Sequence, residues 1–282
     1  MTLRNTPVAA ALLGCLLAMA GGCASQQAAP GATATADALR QIAAESHRSP
    51  ANSARDVYRH PQETLLFFGI RPGMSVVEVW PGGGWYTEIL APLLRDGGQL
   101  YAAQMDATAS TYANNVAAAF RDKLASRSDL YGKVIVTTLA ASPAKSAIAP
   151  PESVDMVVTF RNLHNWMMFG WQREAFAAIY QALKPGGVLG IVEHRGNPDV
   201  PQDPKASSGY VNEAYAIALI ESVGFKLAGR SQINANPRDT KDYEKGVWTL
   251  PPDFANGDKD RGRYQAIGES DRFTLKFVKP RP

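Results

Sequence analysis

Three short stretches of the 282-residue chain carry side chains suited to chemistry. The first is Arg161-Asn162-Leu163-His164-Asn165-Trp166. Imidazole titrates near neutrality, so His164 can serve as a base while Asn162 or Asn165 orients an acceptor. The same residue types also suit a helix-capping loop in which His164 bonds a backbone carbonyl. The second stretch, Glu193-His194-Arg195, joins a carboxylate, an imidazole and a guanidinium. Adjacent strand residues point to opposite faces, so Glu193 and His194 are not expected to act together, and His194 is preferred. No metal is expected, because His60, His164 and His194 have no His-x-x-x-His or carboxylate spacing. The third stretch, Trp80-Pro81-Gly82-Gly83-Gly84-Trp85, sets bare backbone between two indoles.

An apolar run precedes these glycines and a helical pattern follows them. A turn from strand to helix without side chains lets a ligand touch backbone N–H groups at a helix N-terminus. Open α/β sheets bind ligands at that place. Glycine clusters also mark ordinary tight turns. A dinucleotide fingerprint, G-x-G-x-x-G, would need a third glycine where Thr87 stands. The Lys and Ser/Thr of a phosphate loop are replaced by Trp85 and Tyr86. A phosphate-free ligand is therefore expected.

The elements that must position these residues follow from hydrophobic periodicity. Strand-like runs occur at 76–79, 100–103, 134–138, 154–160 and 188–192, with helical patterns at 85–94, 110–125 and 171–183 between them. Strands and helices in this order predict parallel βαβ units. Helices are also expected at 37–46 and 52–68, the latter interrupted at Pro61, and at 210–223. Pro185-Gly186-Gly187 should stop the preceding helix and turn the chain. Strands at 225–227 and 272–278 close the sheet. The stretch 231–271 between them is too long for a hairpin loop, so it is either a functional cover or partly disordered. Its Asn234, Asn236, Arg238, Trp248, Glu269 and Asp271 could close over a substrate. Arg55, Asp56, Tyr58, Arg59 and His60, ahead of the first strand, form either a solvated face or a lid.

Composition bounds the partner. With 45% hydrophobic and 20% charged residues the chain fits one main globular domain. A net charge of +3, without clustered Lys/Arg, gives no argument for nucleic acid and leaves a small molecule as the expected partner. At the N-terminus, Arg4 and the apolar run 8–20, too short for a comfortable membrane span, predict an export signal over 1–22. Met19-Ala20-Gly21-Gly22-Cys23 resembles a bacterial lipobox, with Cys23 as the lipidated residue and membrane anchor. Ala20 stands where leucine is usual, Cys15 is a second candidate, and an ordinary cleaved signal is the alternative. Both cysteines lie in this segment, so the remainder has no disulfide, thiolate zinc site or cysteine nucleophile. Residues 23–36 read as a flexible tether, and 37–282 as the folded domain.

Glu78-Val79-Trp80-Pro81-Gly82-Gly83-Gly84 resembles the first motif of class I S-adenosylmethionine-dependent methyltransferases, in which an acidic residue closes strand one before a glycine turn. SVDMVVTF at 153–160 is similar to the fourth strand of that family and LKPGGVLGIVEH at 183–194 to its helix-turn-fifth-strand motif. VGFKL and RFTLKFVKP are similar to its closing strands. The resemblance runs from about residue 57 to the end. The phrase FFGIRPGMSVVEVWPGGGWYTEILAPLL, with the N-terminal signal, is similar to a group of exported bacterial predicted methyltransferases. It implies an α/β, Rossmann-like, doubly wound and mostly parallel seven-stranded sheet, with a long insertion before the last strand. It further implies S-adenosylmethionine as cofactor and a small-molecule acceptor.

On this reading Glu78, Trp80, Gly82, Gly83, Gly84, Trp85, Gln104 and Asp106 hold the cofactor, and an indole face attracts its sulfonium by ~0.5–2 kcal/mol. Tyr58, Arg161, Asn162, Trp166 and Arg195 contact substrate, and His164, Asn165 and His194 act in catalysis. Trp80 replaces the family's usual first glycine, and Gln104 replaces the acidic residue that holds the ribose, with Asp106 two residues on. Either the nucleoside is held unusually or it is not bound. Because S-adenosylmethionine is cytoplasmic, an exported ligand-binding lipoprotein without transfer activity is the second reading. A nicotinamide oxidoreductase fails on the missing glycine.

Overall fold

The structure, a computed structural model, describes residues 1–2 and 30–282. Most of the signal segment, Cys15, Cys23 and the first part of the expected tether lie outside the described residues. The rest of that tether is not a tether, since residues 30–36 form the first turns of helix α1 (Pro30–Ala44). Thr35 and Leu39 of this helix are buried. Three short helices follow: α2 (Pro50–Ser53), α3 (Asp56–Arg59) and α4 (Pro61–Phe68). The break expected at Pro61 occurs. His60 takes a left-handed φ of 41°, and Pro61 opens α4, where its missing N–H is harmless.

The alternating region contains β1 (Ser75–Val79), α5 (Thr87–Leu94), β2 (Gln99–Gln104), α6 (Thr111–Ser126), α7 (Ser128–Tyr131), β3 (Ile135–Thr138) and β4 (Val154–Phe160). It continues with α8 (Leu163–Phe169), α9 (Gln172–Ala182), β5 (Leu183–His194), α10 (Glu213–Ser222), β6 (Lys226–Ser231), α11 (Arg261–Ile267) and β7 (Arg272–Val278). The seven strands lie in the order β3-β2-β1-β4-β5-β7-β6, with β7 antiparallel to both of its neighbours. Burial on both faces explains why the central strands read as unbroken apolar runs. In β1, Val77 and Val79 enter one core with Trp166 and Phe176, while Val76 enters the other with Leu65 and Leu90.

Pro185-Gly186-Gly187 behaves differently from expectation. Helix α9 does stop at Ala182, but these three residues stay within β5. Gly186 takes φ 83°, and the register against β4 shifts between Val154 and Met156. The excursion between β6 and β7 is an ordered cover. Asn234 donates to the hydroxyls of Thr64 and Thr274, both at 2.9 Å. Asp239 accepts from the Tyr210 hydroxyl at 2.9 Å and from the Asp271 N–H at 2.7 Å. Among the described residues, no helix is long and apolar enough to cross a membrane.

Candidate active site

β1 lies between β2 and β4, whose chains run on to opposite sides of the sheet, so the crevice above these carboxyl ends is the natural site. The residues just past β1 and β4, Trp80 and Arg161, both adopt left-handed backbone, with φ 47° and 60°. Such conformations cost a non-glycine residue roughly 1–3 kcal/mol and cluster at functional sites. Trp80 thus keeps the conformation that a glycine would take there, without the glycine.

On the β4–β5 side, pairing between the two strands ends at Phe160 and Val192, so Glu193 and His194 extend past the neighbouring strand. Glu193 is fully buried and accepts three hydrogen bonds. Its Oε2 takes the His164 N–H at 3.2 Å, and its Oε1 takes the His194 N–H at 2.8 Å and His164 Nδ1 at 3.0 Å. Holding Nδ1 this way fixes the tautomer and leaves Nε2 of His164 as an acceptor. The His194 ring lies 5.3 Å from that of His164, and its Nδ1 meets Ser270 Oγ at 2.6 Å. Burial pushes His194 well below the usual histidine range, reinforced by His164, Arg161, Arg272 and Arg59, so it is neutral at pH 7.

Glu193 and His194, expected not to act together, are brought into one cluster with His164. Both residues still pair with β7, and it is His164, on the helix after β4, that reaches the Glu193 carboxylate and sets its ring beside that of His194. One ligand atom from each of His164, Glu193 and His194 lies within 4.8 Å of the others, a cluster tight enough for a metal ion. The arginines around His194 oppose a cation there.

Those arginines belong to a buried cluster. Arg55 Nε meets Glu269 Oε1 at 2.6 Å, while Arg59 Nε and Arg272 Nη1 reach Oε2 at 3.3 and 3.1 Å. Burial pushes the Glu269 carboxyl up, but Arg59, Arg272, Arg55 and Arg161 together hold it down at about 2. Arg161 has no hydrogen bond or ion pair from its side chain among the described residues, and it lines a cavity of about 40 Å³ with His194, Trp248, Glu269 and Ser270.

Several expected substrate contacts are committed elsewhere. Asn162 Nδ2 donates to the Val79 carbonyl at 2.9 Å and to Thr159 Oγ1 at 3.1 Å, tying the ends of β1 and β4 together. Asn165 reaches only the Arg161 carbonyl, at 3.4 Å. Trp166 is fully buried against Trp80, Trp171 and Phe176. Arg195 pairs with Glu213 at 3.3 Å and with Asp271 at 3.7 Å, anchoring the cover. Tyr58 lies against Gly268, whose φ of 86° and lack of a side chain admit the ring.

On the β1–β2 side, Glu78 is buried, its carboxyl pushed up to about 7 by that burial, and it accepts from Thr87 Oγ1 at 2.6 Å. Gly82 and Gly83 face open space. Gln104 is 3% exposed, and neither atom of its amide has a hydrogen-bond partner. A buried amide left this way costs free energy unless a ligand or water meets it. Trp85 is not a ligand face. Its N–H donates to the Asn52 carbonyl at 3.0 Å, and its ring faces Arg48 and Arg59 at 5.1 and 4.8 Å. Asp106 is held down at about 2 by Thr108 and Lys145 and serves to fix its own loop. Trp80 Nε1 donates to the Leu139 carbonyl at 3.1 Å, so its indole spans from β1 to the loop after β3, with Trp166 and Trp171 beneath it.

A nucleoside fits this donor set in part. The Gln104 amide and the open backbone at Gly82 and Gly83 suit hydroxyl and amino-acid groups, whereas Trp80 fills the slot between the β3 loop and α8. Site and sheet define a Rossmann-like fold with a basic pair at the β4–β5 rim. Residues 77–191 match a family model described as a methyltransferase domain. Among solved structures, a SAM-dependent methyltransferase of Aquifex aeolicus is similar at 16% identity and TM-score 0.53, over 86% of this chain and 98% of that one. The [4+2]-cyclase SpnF is similar at 16% identity and TM-score 0.56, over 89% and 95%. Phosphoethanolamine N-methyltransferase 2 of Haemonchus contortus, solved with S-adenosyl-L-methionine, matches at 16% and 0.53, over 86% of this chain and 60% of that one. No curated protein matches the sequence. The family match thus lies on residues 77–191, and the likeness to these solved structures shows a shared fold.

Proposed function

We propose that the protein transfers a methyl group from S-adenosylmethionine to a small-molecule acceptor. The observation that carries this reading is the orphaned Gln104 amide at the end of β2, beside the open glycine turn. Gln104, Gly82 and Gly83 would hold the cofactor, which supplies an electrophilic methyl group on a sulfonium. Methyl transfer needs alignment and an acceptor freed of its proton. His164 Nε2 takes that proton, Glu193 stabilises the imidazolium that forms, and neutral His194 stands beside it without competing charge.

Trp80 opposes the nucleoside in its present position, so binding requires its indole to leave the Leu139 carbonyl. Losing that hydrogen bond and its packing costs about 1–2 kcal/mol. Trp80→Ala is therefore expected to tighten S-adenosylhomocysteine binding about tenfold, measured by calorimetry on the full chain. Absence of binding to both wild type and variant, in well-folded samples, would sink the methyltransferase reading. The Trp80 plug and the cyclase on the same fold favour a second reading, a ligand-binding protein without transfer activity.

We also infer export with a lipid anchor at Cys23, supported by the apolar run 8–20 and the lipobox-like residues 19–23. Cys23→Ser is expected to move the protein from the membrane fraction to the soluble exported fraction. An unchanged distribution would reject the anchor.

A further inference from the structure

We propose that the cavity beside His194 docks an oxyanion carried by the methyl acceptor, a carboxylate or phosphate, with Arg161 as its counter-charge. The word acceptor rests on the methyltransferase reading; the anion site does not. Four guanidiniums, of Arg55, Arg59, Arg161 and Arg272, act on the single carboxylate of Glu269. Three of them already share its two oxygens. Arg161 has no such contact, and its fork of N–H donors, with no acceptor of its own among the described residues, opens on the cavity. Behind it, Nη2 of Arg55 and Nη2 of Arg59 also lack partners, and Arg59 is only 3% exposed.

This surplus of positive charge makes the pocket repel cations and leaves Arg161 unpaired beside a neutral ligand. The strained backbone at Arg161 is tolerated where it aims a side chain at a ligand. About 40 Å³ accommodates roughly three water-sized groups, the scale of a carboxylate or phosphate rather than a whole metabolite. Trp248 and Val247 supply an apolar wall, and exposed Asp253 is the other acidic lining residue. The anion would sit beside His194, within reach of the His164–Glu193 pair.

The test titrates the full chain with inorganic phosphate and, separately, acetate at low ionic strength, followed by calorimetry and tryptophan fluorescence. One or both anions should bind wild type, and whichever binds tighter identifies the group. Arg161→Gln should weaken it at least tenfold and Arg161→Lys less. Asp253→Asn, on the exposed rim, should strengthen it two- to threefold. Binding to Arg161→Gln equal to wild type, or no binding of either anion to wild type, overturns the proposal. If Arg161→Gln fails to fold, an unchanged affinity in Asp253→Asn overturns it instead. S-adenosylhomocysteine is titrated in parallel. Its binding without either anion defeats the anion site alone, and anion binding without it defeats the methyltransferase reading alone.

Discussion

Glu269→Gln is expected to lower the melting temperature by about 10 °C at pH 7. The substitution keeps the shape of the side chain and removes the one charge that Arg55, Arg59 and Arg272 share. Leaving buried charges uncompensated costs about 3–5 kcal/mol, and in a chain of this size each kcal/mol shifts the midpoint by about 2–4 °C. The pH dependence gives a second readout. The Glu269 carboxyl, held at about 2 in the fold against an ordinary 4.5, binds fewer protons folded than unfolded. Its contribution is present above about pH 4.5 and is lost as pH falls toward 2, amounting to about 3 kcal/mol.

His194 adds an earlier loss. Its imidazole is neutral in the fold, so protonation below its ordinary 6.5 favours the unfolded chain. Wild type should therefore lose stability in two stages on acidification, and Glu269→Gln should keep only the first. A variant melting within 2 °C of wild type, with the same acid limb, would contradict the charge balance described for this cluster.

His164→Ala is expected to reduce methyl transfer by about 10²–10⁴-fold, the usual contribution of a positioned base. The loss should fall on kcat, with the affinity for S-adenosylhomocysteine unchanged, because His164 lies on the β4–β5 side and Gln104 at the end of β2. The assay follows labelled methyl from S-adenosylmethionine into small carboxylates and phosphate esters. Glu193→Gln tests positioning rather than proton transfer. It retains a hydrogen-bond acceptor but loses the charge that stabilises the imidazolium, so the acid limb of its pH–rate profile should move to lower pH than that of the wild type. Turnover in His164→Ala equal to wild type would remove His164 from the mechanism.

The architecture was legible in sequence because buried parallel strands leave continuous apolar runs and their helices leave a 3.6-residue period. That the two histidines and Arg161 come together was legible because they follow the ends of neighbouring strands. Other parts of the site depend on information that spacing does not hold. Arg55 and Arg59 meet Glu269 more than two hundred residues away, and each looks like an ordinary surface charge in its own segment. Asn162, Trp166 and Arg195 have the residue types of a binding site, yet their partners lie in β1, the core and the cover. Strand alternation alone sets Glu193 aside, because it does not register the approach of His164 from α8. Trp85 and Trp80 lie five residues apart, but their indoles enter opposite cores, and only packing distinguishes them.

β6 and β7 are antiparallel neighbours, which a two-residue turn suffices to join. The segment that roofs the His194 cavity is thus surplus to the sheet, entering and leaving at one edge. A change of length or composition in that segment would remodel the cavity roof at Val247 and Trp248 while leaving the strand pairing intact.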